Sequence, residues 1–314
     1  MFQYILKRII YFIPTLFLVA LMIFFLIHLI PGDPVTVMLG QDANPETVKQ
    51  MRQEMGLDRP LPIQFALWMG SVLKGDFGHS IQTRRPVMQS ISERFPVTLS
   101  LTILALVFSL LLAIPSGVLA AVYQNTRQDY LFMIGTILGV SIPGFWLGLI
   151  ALLVFSVHLR WFPTIGFVPW WVEFWEGLRY LVLPSITLGL FMAAVVARMT
   201  RSSMLEVMRL EYITHARAKG LTEWKVIIKH ALKNAFGPTL TTIGIQFGTL
   251  LGGAVVTESV FSLPGLGQYV VTSIYGRDYP VVQGCILFMA LVYVVINLVV
   301  DLLYAYFDPR IEYQ

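Results

Sequence analysis

Apolar residues along this chain fall into six runs separated by polar segments: Ile9 to Ile30, then about 97–123, 131–157, 181–200, 237–259 and 281–306. Each is about the 20 residues that a helix needs to cross roughly 30 Å of hydrocarbon. The pattern predicts an all-α integral membrane protein with six transmembrane helices. The first run follows Lys7 and Arg8 and exceeds the usual apolar core of a signal peptide, so it reads as a retained anchor. One polar segment has a different period. Trp224, Ile227, Ile228, Ala231, Leu232 and Ala235 recur at helical spacing as an apolar stripe, with Lys225, Lys229 and Lys233 on a second stripe. Thr222 is placed to cap this helix, with Leu221 stapling against Val226. Before it, Tyr212 to Lys219 forms a shorter helix that Gly220 ends with a positive φ.

Within the spans, Gly244, Gly248 and Gly252 repeat every fourth residue, as do Gly135 with Gly139 and Gly144 with Gly148. Such rows let helices pack closely in lipid or line a path for a substrate. Pro14, Pro115 and Pro143 predict kinks.

Composition supports the membrane reading: 56% of residues are hydrophobic, 13% are charged, and the mean hydropathy is +0.72. The net charge of +4 matters through its placement. With the N-terminus inside, Lys7, Arg8, Arg127, Arg310 and the basic residues from Arg198 to Lys233 are cytoplasmic, against Arg160, Arg179 and Arg277 outside. Both termini are then cytoplasmic. The domains read as an anchor helix (1–30), an extracytoplasmic subdomain (31–96), a transmembrane domain (97–306) with a long cytoplasmic loop (201–236), and a tail (307–314). In the subdomain, "LDRPLPIQFALW" predicts an amphipathic helix packing Phe65 and Trp68 on the membrane domain. Trp161, Trp170, Trp171 and Trp175 suit an outer interfacial belt.

Several chemistries lack their residues. No G-x-x-x-x-G-K-[ST] phosphate loop occurs, so ATP must bind another chain; no H-E-x-x-H pair or nucleophile elbow occurs; and the single Cys285 excludes a multi-cysteine metal site. The expectation is a non-catalytic chain with no metal site and no bound cofactor. Asp301, Glu258 and His28 fall near span ends, where snorkelling or an interface would accommodate them, so nothing suggests a self-powered carrier. A nucleic-acid-reading helix-turn-helix is excluded by tethering of the loop to the membrane at both ends. A lipid-surface helix would explain the lysines but not the break at Gly220.

The segment "YITHARAKGLTEWKVIIKHALKNAFGP" resembles the coupling loop of permease subunits of binding-protein-dependent ABC importers. It is most similar to the dipeptide, oligopeptide and nickel branch, whose departures from the general loop pattern it shares at Thr214, His215 and Lys233. "IPGDP", "GLDRPLPIQF", "GDFGHS", "ARMTRSSMLEV", "ESVFSLPGLGQ", "RDYPVVQG" and "NLVVDLLYAYFDPRI" extend the likeness over nearly the whole chain. The resemblance implies a type I importer permease fold in a prokaryotic inner membrane, paired with a second homologous permease as a heterodimer. It also implies two cytoplasmic ATP-binding subunits that hold ATP and Mg, and an extracytoplasmic solute-binding protein. By position, Tyr212, Ala216, Arg217, Ala218, Lys219, Gly220 and Leu221 would form the docking tip with Trp224 behind it, small Ala216 and Ala218 permitting close approach and Arg217 and Lys219 pairing with partner acids. Phe261, Pro264, Gly265 and Gly267 would form an extracytoplasmic gate loop. The implied cargo is a dipeptide or short oligopeptide, with nickel or glutathione as the alternative.

Overall fold

The computed structural model describes residues 2–29, 35, 44–54 and 56–307. The "IPGDP" motif, the tail from residue 308, and the side chains of Lys7, Arg8, His28 and Asp301 lie outside the described set. The chain is helical: α1 (Phe2–Leu29), α2 (Pro45–Glu54), α3 (Leu61–Val72), α4 (Val87–Val122), α5 (Arg127–Ser141), α6 (Gly144–His158), α7 (Phe174–Met208), α8 (Glu211–Ala218), α9 (Glu223–Phe261), α10 (Leu266–Tyr275) and α11 (Tyr279–Phe307). Among the described residues, four stretches are long and apolar enough to cross a membrane: Val87–Val122, Phe174–Met208, Glu223–Phe261 and Tyr279–Val300. At about 1.5 Å per residue, α4, α7 and α9 outrun the hydrocarbon and extend beyond it.

The run at 131–157 is not one straight span. It breaks between α5 and α6 with a bend of 98°. Ile142 is extended (φ −83, ψ 123) because the ring of Pro143 disfavours the helical region for the residue before it, and Pro143 starts the next helix. Pro14, Pro184 and Pro238, by contrast, sit inside continuous helices. In two places the helical ladder widens to i→i+5 bonding, at Leu152–His158 and at Val226–Leu232.

The chain divides into two compact units, Met1–Pro96 with Pro264–Val295, and Val97–Leu263 with Ile296–Gln314. In the first, Ala20 and Ile23 of α1 share a buried cluster with Tyr279, Val282 and Leu287. Phe24 meets Phe65 and Trp68 of α3 at ring distances of 5.3 and 5.9 Å, so the predicted amphipathic face packs on α1. The buried Asp278 carboxylate accepts from the Ser80 hydroxyl and the Ile81 N–H, tying the 80–82 turn to the start of α11.

In the second unit, Leu101, Ala105, Leu181, Met192, Val196, Leu250, Ala254 and Phe261 form the core. Two of its closest helix contacts, both against backbone, use glycines outside the predicted rows. A Cβ on Gly189 of α7 would lie 2.6 Å from the Ala105 carbonyl oxygen, and one on Gly117 of α4 would lie 2.6 Å from that of Ala197. The two backbones therefore touch at two levels. The predicted rows divide: Gly139 abuts Ala194, Gly148 abuts Thr187 and Phe261, and Gly244 abuts Val300, whereas Gly135, Gly144 and Gly252 face open space.

Candidate functional site

The polar loop after α7 builds a helix, a left-handed turn and a helix. α8 runs Glu211–Ala218, and Gly220 comes next but one at φ +77, its N–H donating to the Arg217 carbonyl at 2.9 Å. Glycine occupies that region without the Cβ clash that costs other residues roughly 1–2 kcal/mol. Thr222 makes no side-chain capping bond, while Leu221 and Val226 join one apolar cluster as the staple required.

That cluster contains Val118, Met204, Ile213, Ala216, Val226, Ile227, Ala231 and Ala235. Two expectations are corrected here. Ala216 is buried in the cluster rather than presented at the tip. Trp224 and Ile228 are 63% and 41% exposed, although the 3.6-residue period placed them on the buried stripe. Val226, two residues on and nearly opposite Trp224 around the helix, takes the inward place with Ile227 and Ala231.

The outward face of the loop presents Tyr212, His215, Arg217, Ala218, Lys219, Gly220 and Trp224. Arg217 grips Glu223 across the glycine turn, Nη2 to Oε1 at 2.7 Å and Nε to Oε2 at 3.1 Å. Hydrogen bonding to that carboxylate raises the arginine pKa further. Arg217, expected to pair with a partner's acid, is paired here with Glu223 and clips its own turn. Lys219 makes no ion pair among the described residues and is the cation left for such a contact.

At the far end of α9, Phe261 is 5% exposed and Ser262 turns left-handed at φ +54. Gly265 and Gly267 are buried, Pro264 is half-buried and Ser262 is exposed. Glu258, expected to snorkel or lie at an interface, is instead fully buried and accepts from the Thr98 hydroxyl at 2.6 Å. Along α9, Thr241, Ile245, Thr249, Gly252, Val256 and Ser259 form a continuous exposed line. The Thr241 and Ser259 hydroxyls bond back to their own helix, and Ile245 and Val256 make the line part apolar. A separate groove of about 680 Å³ lies between α4, α5 and α7, with Gly135, Gly139, Ser116 and Thr136 among its lining.

Sequence reasoning missed Gly117, Gly189 and the pair Asp129–Arg201. An acidic residue just before an apolar run and an arginine just after another are the only signals that pointed to the pair.

Residues 113–313 match the family model for the binding-protein-dependent transport system inner membrane component, and residues 1–102 match the N-terminal model of such membrane components. The glutathione transport system permease protein GsiC of Salmonella paratyphi A (strain ATCC 9150 / SARB42) is 45% identical over 314 residues, all of both chains. GsiC of Escherichia coli (strain K12) is 44% identical over the same full lengths. Among solved structures, the inward-facing MetNI methionine ABC transporter aligns with a TM-score of 0.59 at 21% identity, covering 70% of this chain and 97% of that one. This likeness bears on the fold.

Proposed function

The chain belongs to the family of binding-protein-dependent transport system inner membrane components, and from that membership we propose that it passes short peptides, glutathione first among them, through an ATP-driven importer. It is a multi-pass inner-membrane permease of a binding-protein-dependent ABC importer. The observation that carries the coupling part of the proposal is the rigid, charged turn at Gly220, clipped by Arg217–Glu223 and backed by a buried apolar cluster. Its exposed face fits the groove of a cytoplasmic ATPase, two of which would hold ATP and Mg and drive this chain with a homologous partner permease. The chain itself performs no catalysis in this reading.

In the membrane, α1 serves as a sixth span and both termini are cytoplasmic. Residues 31–96 form the extracytoplasmic subdomain facing the solute-binding protein. The exposed Thr241–Ser259 line of α9, in which Thr241, Thr249 and Ser259 alternate with apolar or small residues, faces the substrate path. Phe261, Pro264, Gly265 and Gly267 act as an extracytoplasmic gate loop.

Glutathione replaces a dipeptide as the first substrate to test because full-length relatives at 45% identity are glutathione permeases. The assay is uptake of radiolabelled glutathione into proteoliposomes carrying both permeases and both ATPases, with the binding protein supplied on the outward side. ATP-dependent accumulation competed by excess cold glutathione supports the reading. Accumulation of an alanyl dipeptide but not glutathione would overturn the substrate while leaving the importer intact.

A further inference from the structure

Helix α5 is attached to its unit in an unusual way. It is a detached half of a broken span, bounded by the 98° bend at Pro143 and by Asn125, which stands left-handed at φ +63. Its one buried residue is Asp129, 2% exposed, in the first turn. Tyr130, Leu131, Ile134, Ile137 and Leu138 are all more than half exposed. Beyond Asp129, α5 approaches α7 closely where Gly139 meets the Ala194 Cβ, and the groove of about 680 Å³ opens between.

Asp129 is held by three bonds. Arg201 of α7 donates from Nε to Oδ1 at 2.7 Å and from Nη2 to Oδ2 at 2.6 Å, and the Asn125 N–H donates to Oδ2 at 3.0 Å. The fork fixes both angle and distance, which one point charge does not. Arg201 lies two turns before Met208, where α7 ends and the chain passes through Arg209 and Leu210 into α8 and the Gly220 turn.

We propose that Arg201 and Asp129 are positioning residues for transport: their bidentate pair is the joint through which movement of the ATPase-facing loop, passed along α7, swings α5 and changes the groove. This rests on the coupling role given above to the Gly220 turn. An α5 held chiefly by apolar packing would slide; one held at its end by a fork between two bounded turns moves with α7. The groove behind it offers the space such a swing needs.

The test uses the complete complex in nanodiscs and proteoliposomes, with Arg201→Lys, which keeps the charge and removes the fork, and Asp129→Asn with Arg201→Gln, which leaves no unpaired buried charge. Spin labels on exposed Ile134 of α5 and Glu206 of α7 report their separation before and after trapping with ATP and vanadate. In the parent the separation shifts as one narrow distribution. In both variants it broadens and no longer responds to nucleotide, ATP hydrolysis stays within about twofold, and glutathione transported per ATP falls roughly tenfold. Glutathione uptake and hydrolysis falling together in proportion to assembled complex, or an unchanged label response, overturns the joint. A parent complex that hydrolyses ATP without taking up glutathione overturns the substrate instead, and the label distances still decide the joint.

Discussion

Substitution at Gly220 isolates the backbone conformation of the turn from its side chains. The residue stands at φ +77, and nothing lies within 4 Å of where a Cβ would be, so an added side chain meets no steric obstacle. Gly220→Ala therefore loses only the left-handed preference, roughly 1–2 kcal/mol. Gly220→Asn loses less, since asparagine enters that region several-fold more readily than most residues. Gly220→Pro cannot adopt a positive φ and also removes the N–H that donates to Arg217, a further loss of about 1 kcal/mol. The Arg217–Glu223 clip cannot restore the turn: its side chains are 38% and 54% exposed, and such pairs contribute about 0–1 kcal/mol before screening. A penalty of one to two kcal/mol means a roughly 5- to 30-fold loss of the docking-competent conformer. Titrating purified ATPase subunits onto permease in nanodiscs should give affinities in the order glycine, asparagine, alanine, proline. Size-exclusion profiles should be alike, because the Ile213, Ala216, Val226 and Ile227 cluster is untouched. Equal affinities for all four, or asparagine as poor as proline, would refute the argument that this turn is what the ATPase reads.

Gly189→Val should lower the stability of the detergent-solubilised complex by about 1–3 kcal/mol, since its Cβ would lie 2.6 Å from a backbone oxygen that cannot move aside cheaply. Gly252→Val, where nothing lies within 4 Å, should leave thermal unfolding unchanged and reduce uptake; a stability loss equal to that at Gly189 would remove α9's exposed line from the substrate path. Reporter fusions after residues near 60 and 170 should read outside and after 215 inside, and the opposite signs would invert the proposed topology.

Much of this architecture was legible because bilayer thickness sets the length of an apolar run. The spans at 97–123, 181–200, 237–259 and 281–306 appear as long helices, the first three extended by polar turns that hydropathy does not count. The run at 131–157 misled because apolarity is blind to direction: every residue from 131 to 157 suits lipid whether the helix is straight or bent by 98°. Pro143 announced a kink, but Pro184 and Pro238 lie in continuous helices, so a proline alone does not separate a bend from a break. The register of the loop misled for a related reason. Trp224 and Ile228 fit a 3.6-residue stripe, yet the buried face is centred on Val226, Ile227 and Ala231, which leaves both outward.

Close helix approach was legible only as a tendency. Repeating glycines drew attention to Gly252 and Gly135, which touch nothing, while the solitary Gly117 and Gly189 carry the tightest contacts between α4 and α7. The spacing of glycines on one helix says that a partner could approach; which partner does so depends on the other helix, whose Ala105 and Ala197 present carbonyls at the right heights. The same holds for charge. Asp129 and Arg201 are 72 residues apart and read singly as interfacial groups, yet their meeting fixes the one end of α5 that is buried. Pro143 and this pair bound the proposed route from the loop around Gly220 along α7 and across Asp129–Arg201 to α5, and Val226 lies just beyond the Gly220 turn where that route begins. Regular periodicity describes the parts of a membrane bundle that stay still; where the chain leaves that periodicity, the helices acquire joints, and a permease driven from its cytoplasmic loop needs its joints along that route.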